Sequence, residues 1–545
     1  MRKFTSAVVG ALALVALPAC ESLVVSNLNA PDEVRALASP TDVENLIGGQ
    51  FRVIHNYTDG LIVSLEFQLE CLGMENASGL GNAESGKYCG IPRVPVDNTR
   101  ANPSDANKLD PWNNLSRAAR SVALGLAAMN KTGFTFLPPD PAEVLRDKAF
   151  GYFELGVALG DMALVYDSGA VISPSDDVSQ VSPNFVTADS LMKRALIFLD
   201  TAQVYATAGW NGETLDPGWI NGDPLDAPTF LKLVHSWKAR LRAGVARTPT
   251  ERAGVNWTQV IADAQAAITS DFTIVMTTGS PNWSYRPAQI DLYGAWHQMW
   301  QFMVGMADTS GTYSLFLANR SLYSPFLVVT PDKRFPSGTT RAAQNTASGC
   351  TTSGCIQPAG TAPYPYLRNR LAGNDNPVSD WMFSMYDFYR FQSFFNATRN
   401  GAIPLVTLTE MNMLQAEGYF RANNFGAARD LINLTRVNAG LPALVAADNT
   451  TPVPGGNACV PKIPDSGAGF KAAKCGTLWE ALKWEKRMET AYTHFGGWWT
   501  DGRGWGDLPN LSVEEYPVPY EELDTRVMPL YNNTRQSGVG TYGIQ

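Results

Sequence analysis

Helical periodicity, broken by long stretches that have none, is the feature that most limits how this chain can fold. Residues 143–166 read EVLRDKAFGYFELGVALGDMALVY and set Leu145, Ala149, Phe153, Val157 and Met162 at mostly i, i+4 spacing. On an α-helix those positions share one face, so an amphipathic helix with a buried stripe is expected. Similar patterns cover 112–129, 188–207, 229–247, 257–269, 406–422, 426–438 and 477–494. The intervening stretches 71–110, 208–228, 271–290, 320–380 and 445–470 carry the Pro, Gly, Asn and isolated aromatic residues. The expected fold class is mostly α: a tetratricopeptide-like helical hairpin scaffold with large irregular, loop-rich insertions. Binding usually resides in such insertions when they are ordered.

The clearest helix pair spans Thr409–Gly440, with Thr409 as N-cap and Ala416, Tyr419 and Phe420 on one face. A tight turn at Arg421–Phe425 leads into Ala427, Ala428, Leu431, Ile432 and Leu434, and Gly440 then ends the second helix ahead of Pro442. Small residues at Ala416 and Ala428 let two antiparallel helices cross closely, as in a tetratricopeptide hairpin. No period of about 34 residues recurs cleanly elsewhere, so other hairpins are expected to be degenerate.

At the N-terminus, Arg2 and Lys3 precede the apolar run Ala7–Ala19. That run is too short for a bilayer core, which needs about 20 helical residues, and it reads as a signal-peptide core. It closes on Leu17-Pro18-Ala19-Cys20, which resembles a bacterial lipobox. A thiol directly behind a small residue can accept the diacylglycerol before cleavage. Residues 1–19 are therefore expected to be a lipoprotein signal peptide, Cys20 the lipidation site and 20–40 a tether, with the bulk anchored by lipid outside the bilayer. Of the seven cysteines, six lie beyond Cys20, an even number that suits an oxidising compartment. They fall into neighbouring pairs, so disulfides Cys71–Cys89, Cys350–Cys355 and Cys459–Cys475 are expected.

The net charge is −9, and no Lys/Arg cluster follows the first three residues. Nucleic-acid binding, which needs a basic stripe, is excluded. No HExxH, GxSxG, P-loop or GxGxxG stands in a suitable context. Ser190-Leu191-Met192-Lys193 matches S-x-x-K, but Lys131-Thr132-Gly133 precedes it where penicillin-interacting enzymes have it following. His55, His235, His297 and His494 show no ligand spacing and no CxxC occurs, so neither a metal nor a cofactor is expected. No enzymatic activity is expected either.

A sugar-binding surface needs flat apolar faces with amides or charged groups beside them. Candidates are the loop aromatics Tyr88, Trp283, Tyr285, Tyr364 and Tyr366, with Asn282, Arg286 and Arg368 close in sequence. Trp237, Trp300, Trp484, Trp498, Trp499 and Trp505 are expected in the core. A charge-poor, aromatic-bearing loop surface favours a neutral oligosaccharide, and a peptide is the alternative ligand. A structural repeat scaffold and a surface hydrolase built on paired carboxylates are the further alternatives.

Cys20 followed by Leu23-Val24-Val25-Ser26-Asn27-Leu28-Asn29-Ala30-Pro31, then a helix near Asp42–Phe51, resembles the start of SusD/RagB family lipoproteins. Gln415-Ala416-Glu417-Gly418-Tyr419 and Arg436-Val437-Asn438-Ala439-Gly440-Leu441-Pro442 resemble that family's C-terminal hairpin and its R-x-x-A-G-L-P ending. Glu485-Lys486-Arg487-Met488-Glu489, Trp498-Trp499 and Asp501-Gly502-Arg503-Gly504-Trp505-Gly506 resemble its closing block, and Pro517-Val518-Pro519 with Glu522-Leu523 its near-terminal motif. Thr493-His494 stands where the family usually has Glu-Gly, and glycines flank Arg503, which questions the local salt bridges there. The resemblance implies a SusD-like domain over 41–545: helical scaffold at 41–270, a loop-rich ligand side at 271–400, and the C-terminal hairpin and closing block at 401–545. It further implies a surface-facing lipoprotein of the bacterial outer membrane that binds an oligosaccharide or peptide and delivers it to a TonB-dependent, SusC-like β-barrel transporter, without catalysis.

Overall fold

The computed structural model of the protein describes residues 36–60, 64–78, 90–102, 106–176, 184–277, 283–284, 297–348, 350–351, 354–355, 365–370, 382–391, 400–532 and 535–545. Its scaffold comprises α1 (Pro40–Gly48), α2 (Gln50–His55), α3 (Glu66–Leu72), α4 (Ala106–Met129), α5 (Pro141–Val165) and α6 (Ala188–Thr207). It continues with α7 (Ala227–Gly244), α8 (Trp257–Gln265), α9 (Leu408–Arg421), α10 (Phe425–Asn438), α11 (Leu478–Thr490) and α12 (Gly497–Trp505). From α4 to α10 each helix packs on the next, and α11 lies against both α9 and α10. The fold is mostly α, as the periodicity leads one to expect.

Local chemistry sets the helix starts. Asp140 accepts from the backbone N–H of Ala142 and Glu143, and Pro141, which lacks an N–H, takes the first helical position of α5. Thr187, Asp226, Asn256 and Asn424 cap α6, α7, α8 and α10 in the same way. For α9 the cap is Thr407, whose Oγ1 accepts from Glu410 N at 3.1 Å, and not Thr409, which lies inside the first turn. Both threonines have the right chemistry; the strand Gly401–Val406, ending one residue earlier, selects Thr407. Gly440 closes α10 with φ 79°, and Leu441 N donates to Arg436 O at 3.1 Å.

Short antiparallel ladders tie the loop-rich part to the rest, Phe272–Met276 with Gly401–Val406 and Asn76–Ser78 with His297–Met299, and a third, Leu367–Asn369 with Tyr386–Phe388, lies within it. The periodic stretch 477–494 stops as a helix at Thr490. Tyr492 (φ 56°) and Gly496 (φ 60°) then turn the chain into α12.

Among the described residues, buried apolar side chains form three clusters, and α12 reaches all of them. Trp499 sits with Phe51, Phe153 and Trp237; Trp498 with Trp300, Tyr313 and Phe335; Trp505 with Met413, Ile432 and Leu482. Trp484 belongs to the second cluster, so the tryptophans expected in the core are there. Arg503 is also buried: it donates to Glu514 O, Leu164 O and Gly244 O at 2.6–2.9 Å, with its guanidinium 4.1 Å from the Trp499 ring centre. The glycines beside it have a steric reason. A Cβ at Gly502 would stand 2.7 Å from Leu508, and one at Gly504 3.0 Å from Arg252. The salt bridges of this block are present despite those glycines: Lys486 and Arg252 reach Asp501 at 2.7 and 3.0 Å, and Lys483 and Arg487 reach Asp507 at 3.0 and 2.7 Å. His494 lies against Gly497, where a Cβ would come within 2.3 Å of its ring, and burial pushes its pKa down to about 4.

The buried acids make stability depend on pH in two directions. Burial pushes Asp59 and Asp387 up to about 6 and Asp147 and Glu514 up to about 7. A carboxyl raised in the folded state binds more protons folded than unfolded, so stability grows as pH falls from about 8 to about 6.5. Glu410 and Glu417 behave oppositely: burial opposes their charge, but Arg240 and Arg252 outweigh it and hold them at about 2. Their stabilisation, about 3 kcal/mol each, is lost as pH falls from about 4.5 through about 2. His55 and His494, kept neutral by burial with values near 4, add to the acid loss because the unfolded chain takes up protons first. Calorimetry is expected to show Tm rising between about pH 8 and 6.5 and dropping steeply below about 4.5. A Tm highest at pH 8 contradicts this assignment.

Candidate functional site

Two of the five aromatic candidates are core residues, which corrects the expectation that they face a ligand. Trp283 is 1% exposed. It pairs with Thr277 through two backbone hydrogen bonds, which turns its ring inward onto Phe51 (6.3 Å) and His55 (5.6 Å). His55 Nε2 donates to Ser284 O at 2.7 Å and Ser284 Oγ donates to Gly60 O, so residues 283–284 staple the chain to the end of α2. Tyr366 is 2% exposed. Its hydroxyl donates to Glu489 Oε2 on α11 at 2.9 Å, and Arg390 lies 4.5 Å from its ring centre. Tyr88, Tyr285 and Tyr364 lie outside the described residues.

Within 271–400, the region expected to be the ligand side, the Leu367–Asn369/Tyr386–Phe388 ladder is described. Ile91 packs against the cluster that contains Tyr366. Asp387 is buried between Arg370 Nη1, 2.7 Å from Oδ1, and Arg368 Nε, 3.6 Å from Oδ2. Asn369 Nδ2 donates to Gln344 Oε1, and Gln344 Nε2 donates to Val328 O, a chain of amides that fixes the ladder from behind. In front, Arg368 and Arg390 are partly exposed, the first above Tyr389 and the second above Tyr366. Both are engaged within the protein, Arg368 with Asp387 and Arg390 through Nη1 with Glu489 O at 2.8 Å, which holds them over buried rings. Among the described residues no three His, Cys, Asp or Glu side chains gather as a metal would require.

The cysteines follow the expected local pattern where they are described. Cys459 and Cys475 are disulfide-bonded with a Cα–Cα distance of 5.8 Å, closing the hairpin Lys462–Pro464/Ala473–Cys475. Cys71 is disulfide-bonded, and its expected partner Cys89 lies outside the described residues. Cys350 stands directly opposite Cys355 in a two-residue ladder, while their side chains fall outside the description. Residues 1–19 and Cys20, expected to be a signal peptide and a lipidation site, lie outside the described residues as well. Among the described residues no helix is long and apolar enough to cross a membrane.

One surface feature went unnoticed in the sequence. Two open cavities of about 600 and 420 Å³ flank Arg242, between α6 on one side and α7 with residues 245–263 on the other. Asp189, Lys193, Leu196, Asp200, Gln203 and Val204 line them from α6. That spacing is a helical stripe, and Val204, an exposed valine within it, is the signal that could have revealed the groove.

No protein-family profile and no curated protein sequence matches the chain. Solved structures do. A SusD superfamily protein from Bacteroides thetaiotaomicron VPI-5482 aligns with a TM-score of 0.57 over 91% of this chain and 100% of its own, at 11% identity. One from Parabacteroides distasonis ATCC 8503 gives 0.56 over 91% and 98%, and one from Bacteroides vulgatus ATCC 8482 gives 0.56 over 91% and 99%, both at 11% identity. The chain has the SusD-superfamily fold. In this SusD-like chain, α9 to α12 carry the motifs read as the hairpin and closing block, and they form the junction of the three cores. Identity this low establishes the fold and leaves the ligand to be argued from the residues.

Proposed function

We propose that this protein is a SusD-type nutrient-binding lipoprotein of the outer membrane, which captures a neutral oligosaccharide and passes it to a TonB-dependent, SusC-like transporter without catalysing a reaction. The observation that supports this most is the fold likeness spanning 91% of the chain and the whole of a SusD superfamily structure. The lipobox-like Leu17–Cys20 supports the anchor, and the low charge of the loop side supports a neutral ligand over an anionic one. In this reading 1–19 is removed, 20–40 tethers, and 41–545 forms the binding body, with 271–400 on the ligand side. Cys20→Ser is expected to release the protein from membranes; a Cys20→Ser protein that still fractionates with outer membranes in the absence of its partner refutes the anchor.

The ligand is tested by titration calorimetry of the mature protein against neutral oligosaccharides, an anionic polysaccharide and short peptides. At least one neutral oligosaccharide is expected to bind with a Kd between about 1 μM and 1 mM, roughly −8 to −4 kcal/mol. Binding confined to the peptides overturns the saccharide assignment, and binding confined to the anionic polymer overturns the charge argument.

A further inference from the structure

We infer that Asn211 is a self-modification site: its side-chain amide is lost through attack by the backbone nitrogen of Gly212, which leaves aspartate or isoaspartate in its place. Asparagine followed by glycine undergoes this reaction most readily, because glycine sets no side chain against the ring that forms. The chain holds three such pairs, Asn211-Gly212, Asn221-Gly222 and Asn400-Gly401, and two Asp-Gly pairs that can close the same ring, Asp59-Gly60 and Asp501-Gly502. On sequence the three Asn-Gly pairs are alike. The fold separates them.

Asn211 and Gly212 are the two central residues of a turn after α6, with φ 50° and 93°, and Glu213 N donates to Trp210 O at 2.8 Å to close it. Both are exposed. Asparagine tolerates the left-handed region and glycine favours it, so the pair suits this turn. Gly212 N donates to no described residue, and no heavy atom lies within 4 Å of where a Cβ would stand on Gly212. The attacking nitrogen is therefore unengaged, and there is room for the ring.

The other pairs are held in place. Asn221 ends the short helix Pro217–Ile220 with φ 48°, but Gly222 N donates to Pro217 O at 3.1 Å and Asn221 O accepts from Val275 N at 2.6 Å. Gly401 begins the strand Gly401–Val406, in register with Met276. Asp59 and Gly60 are buried, and a Cβ at Gly60 would stand 2.9 Å from Ser284 O. Asp501 and Gly502 are buried within α12, with Leu508 2.7 Å from the equivalent point. Ring closure at these four positions first requires breaking the pairing or packing around them.

The reaction balances with water as its one co-reactant. The Gly212 nitrogen bonds to Asn211 Cγ, and the side-chain nitrogen leaves as ammonia, carrying the proton of the Gly212 amide. Water then opens the five-membered imide. Opening at the side-chain carbonyl gives aspartate; opening at the main-chain carbonyl gives isoaspartate, with an extra methylene in the backbone. Either product adds a negative charge two residues from Glu213, where Arg146 already faces Glu44, Glu143, Asp147 and Glu213.

The test incubates the purified folded chain at neutral and mildly alkaline pH and maps its peptides by fragmentation mass spectrometry. Asn211 is expected to convert at least about tenfold faster than Asn221 and Asn400, since reactivity follows the cost of local opening. Conversion is expected to be faster at the higher pH and to yield isoaspartate. In denaturant the three rates are expected to converge to within about threefold, because the fold no longer protects any of them. Asn211→Gly, which keeps the positive φ, is expected to remove the acidic species seen on ion exchange. A folded chain in which Asn221 or Asn400 converts as fast as Asn211 overturns the assignment. So does a folded chain whose Asn211 stays intact while the denatured control converts, or an acidic species that persists in Asn211→Gly. A preference for Asn211 that survives in denaturant also overturns it, since the fold is then not its cause.

Discussion

Replacing Arg252 with methionine is expected to lower the unfolding free energy by about 3–5 kcal/mol, the usual cost of removing one partner from a buried ion pair. Arg252 is fully buried. Its Nε and Nη2 hold the two oxygens of Glu417 at 2.9 and 2.6 Å, Nη2 also reaches Asp501 at 3.0 Å, and Nη1 donates to Ala243 O at 2.7 Å. The guanidinium lies between the Trp257 and Trp505 rings, 5.2 and 5.9 Å from their centres. Methionine fills much of the space but leaves Glu417 with Arg421 alone, and Asp501 with Lys486 alone. The variant has a second signature. Without Arg252, burial raises Glu417 from its value of about 2, so its carboxyl takes a proton in the folded state as the solution is acidified. The deficit against wild type should then narrow between about pH 7 and 4. Denaturant titrations at both pH values check this. A loss under about 1 kcal/mol, or a deficit that widens in acid, shows that the network is not what holds α9 to α12.

The helices were legible because their signals are local. Stripe spacing, a capping oxygen and a closing glycine all lie within a few residues of one another, and α5, α6, α9 and α10 follow them closely. The Thr407 cap was misassigned to Thr409 because the choice depends on where a strand ends, and that strand pairs with Phe272–Met276 far away in sequence. The loop-rich region 271–400 was less legible for the same kind of reason. A loop tryptophan is apolar whether it waits for a sugar or packs on Phe51, and nothing beside Trp283 reveals that Phe51 and His55 cover it. Tyr366 is likewise claimed by Glu489 from another helix. The Arg242 groove arises only when α6, α7 and α8 are placed together, although α6 alone already shows its half of the lining as a stripe.

Trp499→Ala is expected to cost about 3–5 kcal/mol, the range for truncating a large aromatic side chain in a core. The indole is fully buried, and its Nε1 donates to Val513 O at 2.7 Å. Arg503 stacks on its face, and the chain at Gly73 approaches so closely that a Cβ there would stand 2.6 Å from Trp499 N. With the backbone of α12 pinned on that side, the cavity has little room to collapse, which places the cost toward the upper end of the range. The position of the helix predicts the form of the transition as well as its midpoint. Trp498, Trp499 and Trp505 enter different clusters from one short helix, so loosening α12 in the first cluster withdraws side chains from the other two. Calorimetry of Trp499→Ala should therefore show one endotherm at a lower temperature. Amide exchange should speed up in α9 and α11 as well as in α5 and α7. An endotherm that splits in two, with the α9–α11 amides as protected as in wild type, would show that the clusters melt independently and that α12 does not couple them.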